Sequence, residues 1–121
     1  SALEIARRNN LQRTEAAALG ALGNVYGAAG NYEQAIASVE ASLKIIQDKS
    51  NESEVKGLIV SGLNTLGNIY ASRAERYRYQ GNTSRIEGDE PEANRFNELA
   101  EKDIAKALVA FEQSAEQASN I

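Results

Sequence analysis

The sequence predicts an all-α fold in which antiparallel helical hairpins stack side by side. The segment LGALGNVY at residues 19–26 returns as LNTLGNIY at 63–70, and an offset of 44 residues is typical of stacked helical hairpins. The chain has one proline, Pro91, and a proline is tolerated in the first turn of a helix. Apolar residues recur every three or four positions, as on one face of a helix, at Leu19, Leu22 and Tyr26 and then at Tyr32, Ile36, Val39, Leu43 and Ile46.

The first hairpin is predicted to close on small residues. Gly23 in the first helix and Ala35 in the second would let the two backbones approach closely. Glycine costs a helix about 1 kcal/mol relative to alanine, so close packing is the natural reason for Gly23. Gly30 is expected to end the first helix in the left-handed conformation. Asn31 is expected to cap the second helix, with Gln34 completing a capping box.

The same segment resembles the tetratricopeptide repeat (TPR). Spacings of 40 residues (Leu3 to Leu43) and 44 residues (Gly23 to Gly67) resemble the kinesin-light-chain-like subgroup of that family. The resemblance implies a right-handed stack of helical hairpins, a fragment of an α-solenoid. It divides a single domain, residues 1–121, into the end of a preceding repeat at 2–8, a full repeat at 11–47 and a second repeat at 52–119. The residues that carry it are Leu22, Gly23, Tyr26, Gly30, Tyr32, Ala35 and Leu43.

The second hairpin is predicted to be longer than the first by the same amount on both sides. GDEPEA at 88–93 resembles GNYEQA at 30–35, which places the second turn near residues 88–89. The interval from Gly67 to Gly88 exceeds the equivalent interval of the first hairpin by two heptads, and so does the interval from Gly88 to Ala107. An antiparallel hairpin requires equal additions, and these would project it by about 21 Å.

An alternative for this region is a break in the long helix. Gly81-Asn82 would then end the helix and leave a long loop up to Pro91. The equal increments favour the continuous hairpin. The projecting part is interpreted either as a docking or dimerisation surface or as an extension with no ligand of its own.

The first helix of each hairpin is expected to line a concave groove that binds a peptide. Asn24 and Asn68 each follow a packing glycine, and their amides could hydrogen-bond a peptide backbone through both donor and acceptor. The resemblance implies this role, whereas the alternative is that the two asparagines bond within neighbouring helices and order the stack. The predicted groove residues are Asn24, Asn64, Asn68, Ser61 and Ser72, and the predicted packing residues are Gly23, Tyr26, Ala35, Gly67, Tyr70 and Ala107.

The composition and charge of the chain argue against several other classes of function. A net charge of −4 gives no general attraction to nucleic acid or anionic membranes, and the arginines and tyrosines of residues 72–85 are interpreted as making salt bridges along the hairpin. The chain has no cysteine and no histidine, hence no thiolate ligand and no histidine base. No catalytic motif is present, so neither an enzyme nor a cofactor or metal is predicted. With no membrane-spanning run and no signal pattern, a cytoplasmic location is expected.

The sequence therefore predicts a protein–protein interaction module. The alternative is a structural spacer or oligomerisation segment of a larger multidomain protein, with the projecting hairpin as contact surface. The absence of methionine suggests an excerpt from such a protein, in which the resemblance implies companion effector domains. Self-association is expected through apolar residues at the two ends of the stack: Leu3, Ile5, Leu108 or Phe111.

Overall fold

The computed structural model describes residues 1–47 and 53–119, whose regular structure consists of four α-helices. These are α1 (Ala2–Ala28), α2 (Tyr32–Ile46), α3 (Ser53–Ile86) and α4 (Glu90–Ser119). Helices α1 and α2 pack as one hairpin, α3 and α4 as a second, and α3 also packs against both helices of the first. The all-α prediction is thus confirmed. One core extends from α1 through α2 to the first half of α3.

The first helix differs from the predicted organisation. Residues 2–8, expected to end the second helix of a preceding repeat, instead form the first two turns of α1, which continues without a turn to Ala28. The intervening segment, residues 9–12, contains neither glycine nor proline, so nothing in it stops a helix.

Both hairpins turn through the same backbone motif. Gly30 and Gly88 have φ angles of +82° and +85°, the left-handed region that glycine adopts without strain. The residue after each glycine donates its N–H to a carbonyl of the preceding helix. Asn31 donates to Tyr26 at 2.9 Å, and Asp89 donates to Ser84 at 2.8 Å. This is a Schellman ending. The second turn coincides with the predicted one, and α3 runs through Gly81 and Asn82 without a break.

The helix caps differ between the two turns. Asp89 caps α4, since its Oδ1 accepts the N–H of Glu92 at 3.1 Å. Asn31 makes no side-chain cap hydrogen bond, so the predicted Asn31 cap is wrong. The Schellman bond already holds the backbone of Asn31, and α2 begins without help from its amide.

The interior of the two hairpins is built from equivalent contacts. A Cβ on Gly23 would collide with Val39, and one on Gly67 would lie 2.6 Å from the ring of Phe111. Phe111, predicted at the exposed end of the stack, is half-buried on Gly67 instead. In the second hairpin, Gly67 therefore takes the place of Gly23, and Phe111 takes the place of Val39.

Two serine hydroxyls make equivalent hydrogen bonds in the two hairpins. Ser42 Oγ donates to the carbonyl of Ala16 at 2.6 Å, and Ser114 Oγ donates to the carbonyl of Val60 at 3.2 Å. Ala16 and Val60 are as far apart in sequence as Gly23 and Gly67, and Ser42 and Ser114 are as far apart as Val39 and Phe111. The second hairpin is therefore equivalent to the first with four heptads added. The turn divides that addition equally, with two heptads before it and two after it. We call the added distal part, residues 74–106, the arm.

The arm continues a single seam between α3 and α4. Its residues alternate in steps of three and four, the heptad spacing of coiled coils, and most of them are small. Because each limb gains whole heptads, the addition keeps every seam position facing its partner helix. The seam comprises Val60, Leu63, Gly67, Tyr70, Ala74, Tyr77, Gly81 and Ser84 on α3 and Ala93, Phe96, Ala100, Asp103, Ala107, Ala110 and Ser114 on α4.

The shared serine contact leads to a stability prediction. Ser42→Ala is expected to lower the free energy of unfolding by about 1 kcal/mol, because it removes a buried hydrogen bond to Ala16. Ser114→Ala should cost less, since its bond is longer and only partly buried. Urea unfolding followed by circular dichroism measures both. Equal losses for the two variants would contradict the expectation.

Candidate peptide-binding cleft

Helices α1 and α3 run parallel and enclose a cleft with a volume of about 180 Å³. Gly27 allows the close approach, because a Cβ at that position would lie 3.3 Å from Cγ1 of Ile69. The side chains around the cleft are small or uncharged, so the cleft offers hydrogen-bonding groups but no charged group. Its lining comprises Asn24, Gly27, Ala28, Thr65, Asn68, Ile69 and Ser72.

Asn24 and Asn68 occupy equivalent positions on the two walls of this cleft. Both are exposed, and neither side chain makes a hydrogen bond with another described residue. Within the described residues, each amide therefore leaves its N–H pair and its carbonyl available to a ligand that enters the cleft. This geometry does not favour the alternative in which these asparagines order the stack.

The remaining predicted groove residues divide into two groups. Ser72 lines the cleft beside Asn68. Ser61 and Asn64 are exposed one to two turns earlier on α3 and do not line it. Among the predicted packing residues, the small ones are buried and the tyrosines half-buried: Gly23, Ala35, Gly67 and Ala107, then Tyr26 and Tyr70.

A largely buried ion pair joins α3 and α4 at the base of the arm. Arg73 donates to both carboxylate oxygens of Asp103, from Nε at 2.7 Å and from Nη2 at 2.9 Å. The side chain of Asp103 is 3% exposed and that of Arg73 is 17% exposed. This hydrogen-bonded carboxylate raises the pKa of Arg73 above its ordinary value. Sequence reasoning missed the pair, although Asp103 occupies a seam position between two alanines.

A separate contact joins the arm to the first hairpin. Where α3 passes the first turn, a notch of about 520 Å³ opens, and Arg76 crosses it. Its Nη1 donates to the carbonyl of Gly30 at 3.2 Å, and its guanidinium lies 4.8 Å from the ring centre of Tyr32. Of the expected salt bridges along the arm, Arg85 pairs with Glu90 at 3.6 Å. The arginines therefore serve chiefly to join helices.

The opposite side of α3 carries a more apolar groove of about 370 Å³ between α3 and α4. Leu66, Tyr70 and Val109 contribute to its walls. Burial raises the pKa of the Tyr70 phenol, with the nearby carboxylate of Glu40 acting in the same direction. The groove has no pair of free amides comparable with the cleft, so it is a weaker candidate for backbone recognition.

Within residues 1–47 and 53–119, no helix combines the length and the apolar character that a membrane crossing requires. The same residues contain no group of three or more acidic side chains arranged to hold a metal ion.

Comparison of the chain with protein-family models, with curated proteins and with solved structures gives no significant match to any of them.

Proposed function

We propose that the chain is a protein–protein interaction module of the TPR type, which binds an extended peptide or protein segment in the cleft between α1 and α3. The observation that carries the proposal is the pair of exposed amides on Asn24 and Asn68, which bond no other described residue and occupy equivalent positions of two parallel helices. The right-handed TPR-like stack is part of the same proposal. It is supported by the repeated cassette and by the packing of α3 on both helices of the first hairpin.

The spacing of the two amides suits an extended chain. Packed helices lie about 8–10 Å apart, and an extended peptide rises about 3.3 Å per residue, so the two amides would engage backbone groups about three residues apart. Small lining residues such as Gly27 and Ala28 leave room for a backbone. With no charged residue in the lining, the part of the ligand inside the cleft is expected to be uncharged.

Removal of both amides should weaken peptide binding at least about fivefold, since two hydrogen bonds together contribute about 1–3 kcal/mol. Peptides enriched on the wild-type chain from a random display library serve as probes, and fluorescence anisotropy gives Kd for wild type and for Asn24→Ala/Asn68→Ala. Asn94→Ala, an exposed asparagine on the arm segment of α4, is the matched control and should bind like the wild type. Undiminished binding by the double variant would refute the cleft as the site.

A shortened variant separates the cleft from the arm. Deleting residues 74–87 and 93–106 joins Arg73 to GDEPE and then to Ala107, which reproduces the spacing of the first hairpin. Arg73→Ala is included because its partner Asp103 is deleted. Binding that survives in this variant and is lost with the asparagine pair assigns recognition to the cleft. Loss in the shortened variant alone assigns it to the arm, and failure to enrich any peptide favours the spacer function.

A further inference from the structure

The correspondence between the two hairpins allows each exposed residue to be compared with its buried counterpart. The offset from Gly23 to Gly67 relates positions on α1 to those on α3, and the offset from Val39 to Phe111 relates positions on α2 to those on α4. Helix α3 is covered on one side by α1 and α2, whereas the equivalent side of α1 contacts nothing in the part of the chain that the structure describes.

Much of the uncovered side of α1 is apolar at the positions where α3 is apolar. Val25 is 63% exposed, and its counterpart Ile69 is only 4% exposed beneath α1. Leu11 is 70% exposed, and its counterpart Val55 is fully buried in the core. We call this side the leading face, which comprises Leu11, Ala18, Leu22 and Val25.

The far side of the second hairpin repeats the surface on which α3 packs. Leu108 is 56% exposed, and its counterpart Ile36 is 9% exposed against the core. Ala71 is exposed, and its counterpart Gly27 receives Ile69. We call this side the trailing face, which comprises Ala71, Leu108 and Ala115.

We propose that the chain associates head to tail, with the leading face of one copy packed on the trailing face of the next as α3 packs on α1 and α2. Each face is the exposed counterpart of one half of an interface that the chain already forms internally, which identifies a second copy as the occupant. The first hairpin of the incoming copy is shorter than the second hairpin on which it packs, so most of its neighbour's arm stays uncovered, as it is within one chain apart from the contact of Arg76 with Gly30 and Tyr32.

Stacking places the start of α1 beside the end of α4, as the start of α3 lies beside the end of α2, where Val55 and Ile46 share one core. Glu15 stands in the place of Ile59, so the apolar contact is smaller than the internal one and a Kd of about 10–100 µM is expected.

Sedimentation of the 121-residue chain tests this arrangement. The weight-average mass of the wild type should rise with concentration above 13.0 kDa, and beyond twice that value because a head-to-tail contact leaves both ends open. Val25→Glu blocks the leading face and Leu108→Glu blocks the trailing face, so each variant alone should be monomeric. An equimolar mixture should form a 1:1 dimer and nothing larger, since each variant keeps the face that the other lacks.

Ile86→Glu places the same new charge on an exposed residue at the tip of the second hairpin and should associate like the wild type. Circular dichroism verifies that all variants are folded. A wild type that stays monomeric to about 1 mM overturns the proposal. So does wild-type association by either blocked variant, which indicates a symmetric or unrelated contact, and so does a mixture that remains monomeric.

Discussion

Replacing Asp103 with alanine is expected to lower the free energy of unfolding by about 3 kcal/mol, because it leaves the largely buried guanidinium of Arg73 without its carboxylate. Both hydrogen bonds of the pair are lost, and the alanine leaves a gap in the seam. Since the pKa of Arg73 is raised, the stabilisation is present at every pH below the ordinary arginine pKa and is lost only as the pH rises through the raised value.

Urea unfolding of four proteins measures this effect as a double-mutant cycle: wild type, Asp103→Ala, Arg73→Ala and the double variant. The double variant should be less destabilised than the sum of the two single variants, because removing both partners leaves no unpaired buried charge. Glu92→Ala, which breaks an exposed ion pair with Arg95, is the control and should have almost no effect. Equal small losses from Asp103→Ala and Glu92→Ala would contradict the assignment.

The pair also has a consequence for alignment of the two helices. Alternate seam positions of α4 in the arm are all alanine, so a shift of α4 by one heptad would keep alanine at those positions and change the contacts of Phe96 and Asp103. A buried polar contact in such a seam selects one register. We therefore expect Asp103→Ala to increase proteolytic cleavage within the arm more than cleavage in the first hairpin.

Gly23→Ala is expected to be the second most damaging change, lowering the free energy of unfolding by about 2 kcal/mol although alanine favours helix by about 1 kcal/mol. The new Cβ would collide with Val39 and lie 3.3 Å from the backbone carbonyl of Ala35. Val39 is fully buried, so its side chain cannot turn outward into solvent. The two helices would have to separate.

Two other glycines serve as controls for the same substitution. Gly57→Ala should raise the free energy of unfolding by about 0.5–1 kcal/mol, because nothing lies within 4 Å of the added Cβ. Gly67→Ala should fall between the two, since the half-buried ring of Phe111 can turn outward. Thermal unfolding ranks the three variants, and a Gly23→Ala protein as stable as Gly57→Ala would disprove close packing at Gly23.

The repeated cassette and the length of the second hairpin could be read from the sequence because their signals are local. Gly88 could be recognised as a helix ending because GDEPEA resembles the turn segment GNYEQA, and equal spacings on both sides require no knowledge of the neighbouring helices. The division at residues 2–8 was wrong because apolar spacing alone does not distinguish a helix that continues from one that ends. The cap assigned to Asn31 failed for a related reason, since residue type allows a cap without requiring it.

The cleft was predictable only in part. The resemblance identified Asn24 and Asn68, and both line the cleft, but it also included Ser61 and Asn64, which lie outside it. Which residues line the cleft depends on how far α1 and α3 overlap, a tertiary property that spacing along one helix does not contain. Asp103 was missed because its partner lies 30 residues away on another helix.

The way in which the second hairpin is lengthened limits the insertions and deletions that this chain can accept. A single residue inserted into one helix of the hairpin would rotate the side chains beyond the insertion by about 100° around the helix axis. The small residues would then no longer face the seam. One heptad added to both limbs would keep the seam and extend the hairpin by about 10 Å. Hairpin length in such a protein can therefore change only in paired steps of one heptad, by growth next to the turn, while the base that carries the cleft stays as it is.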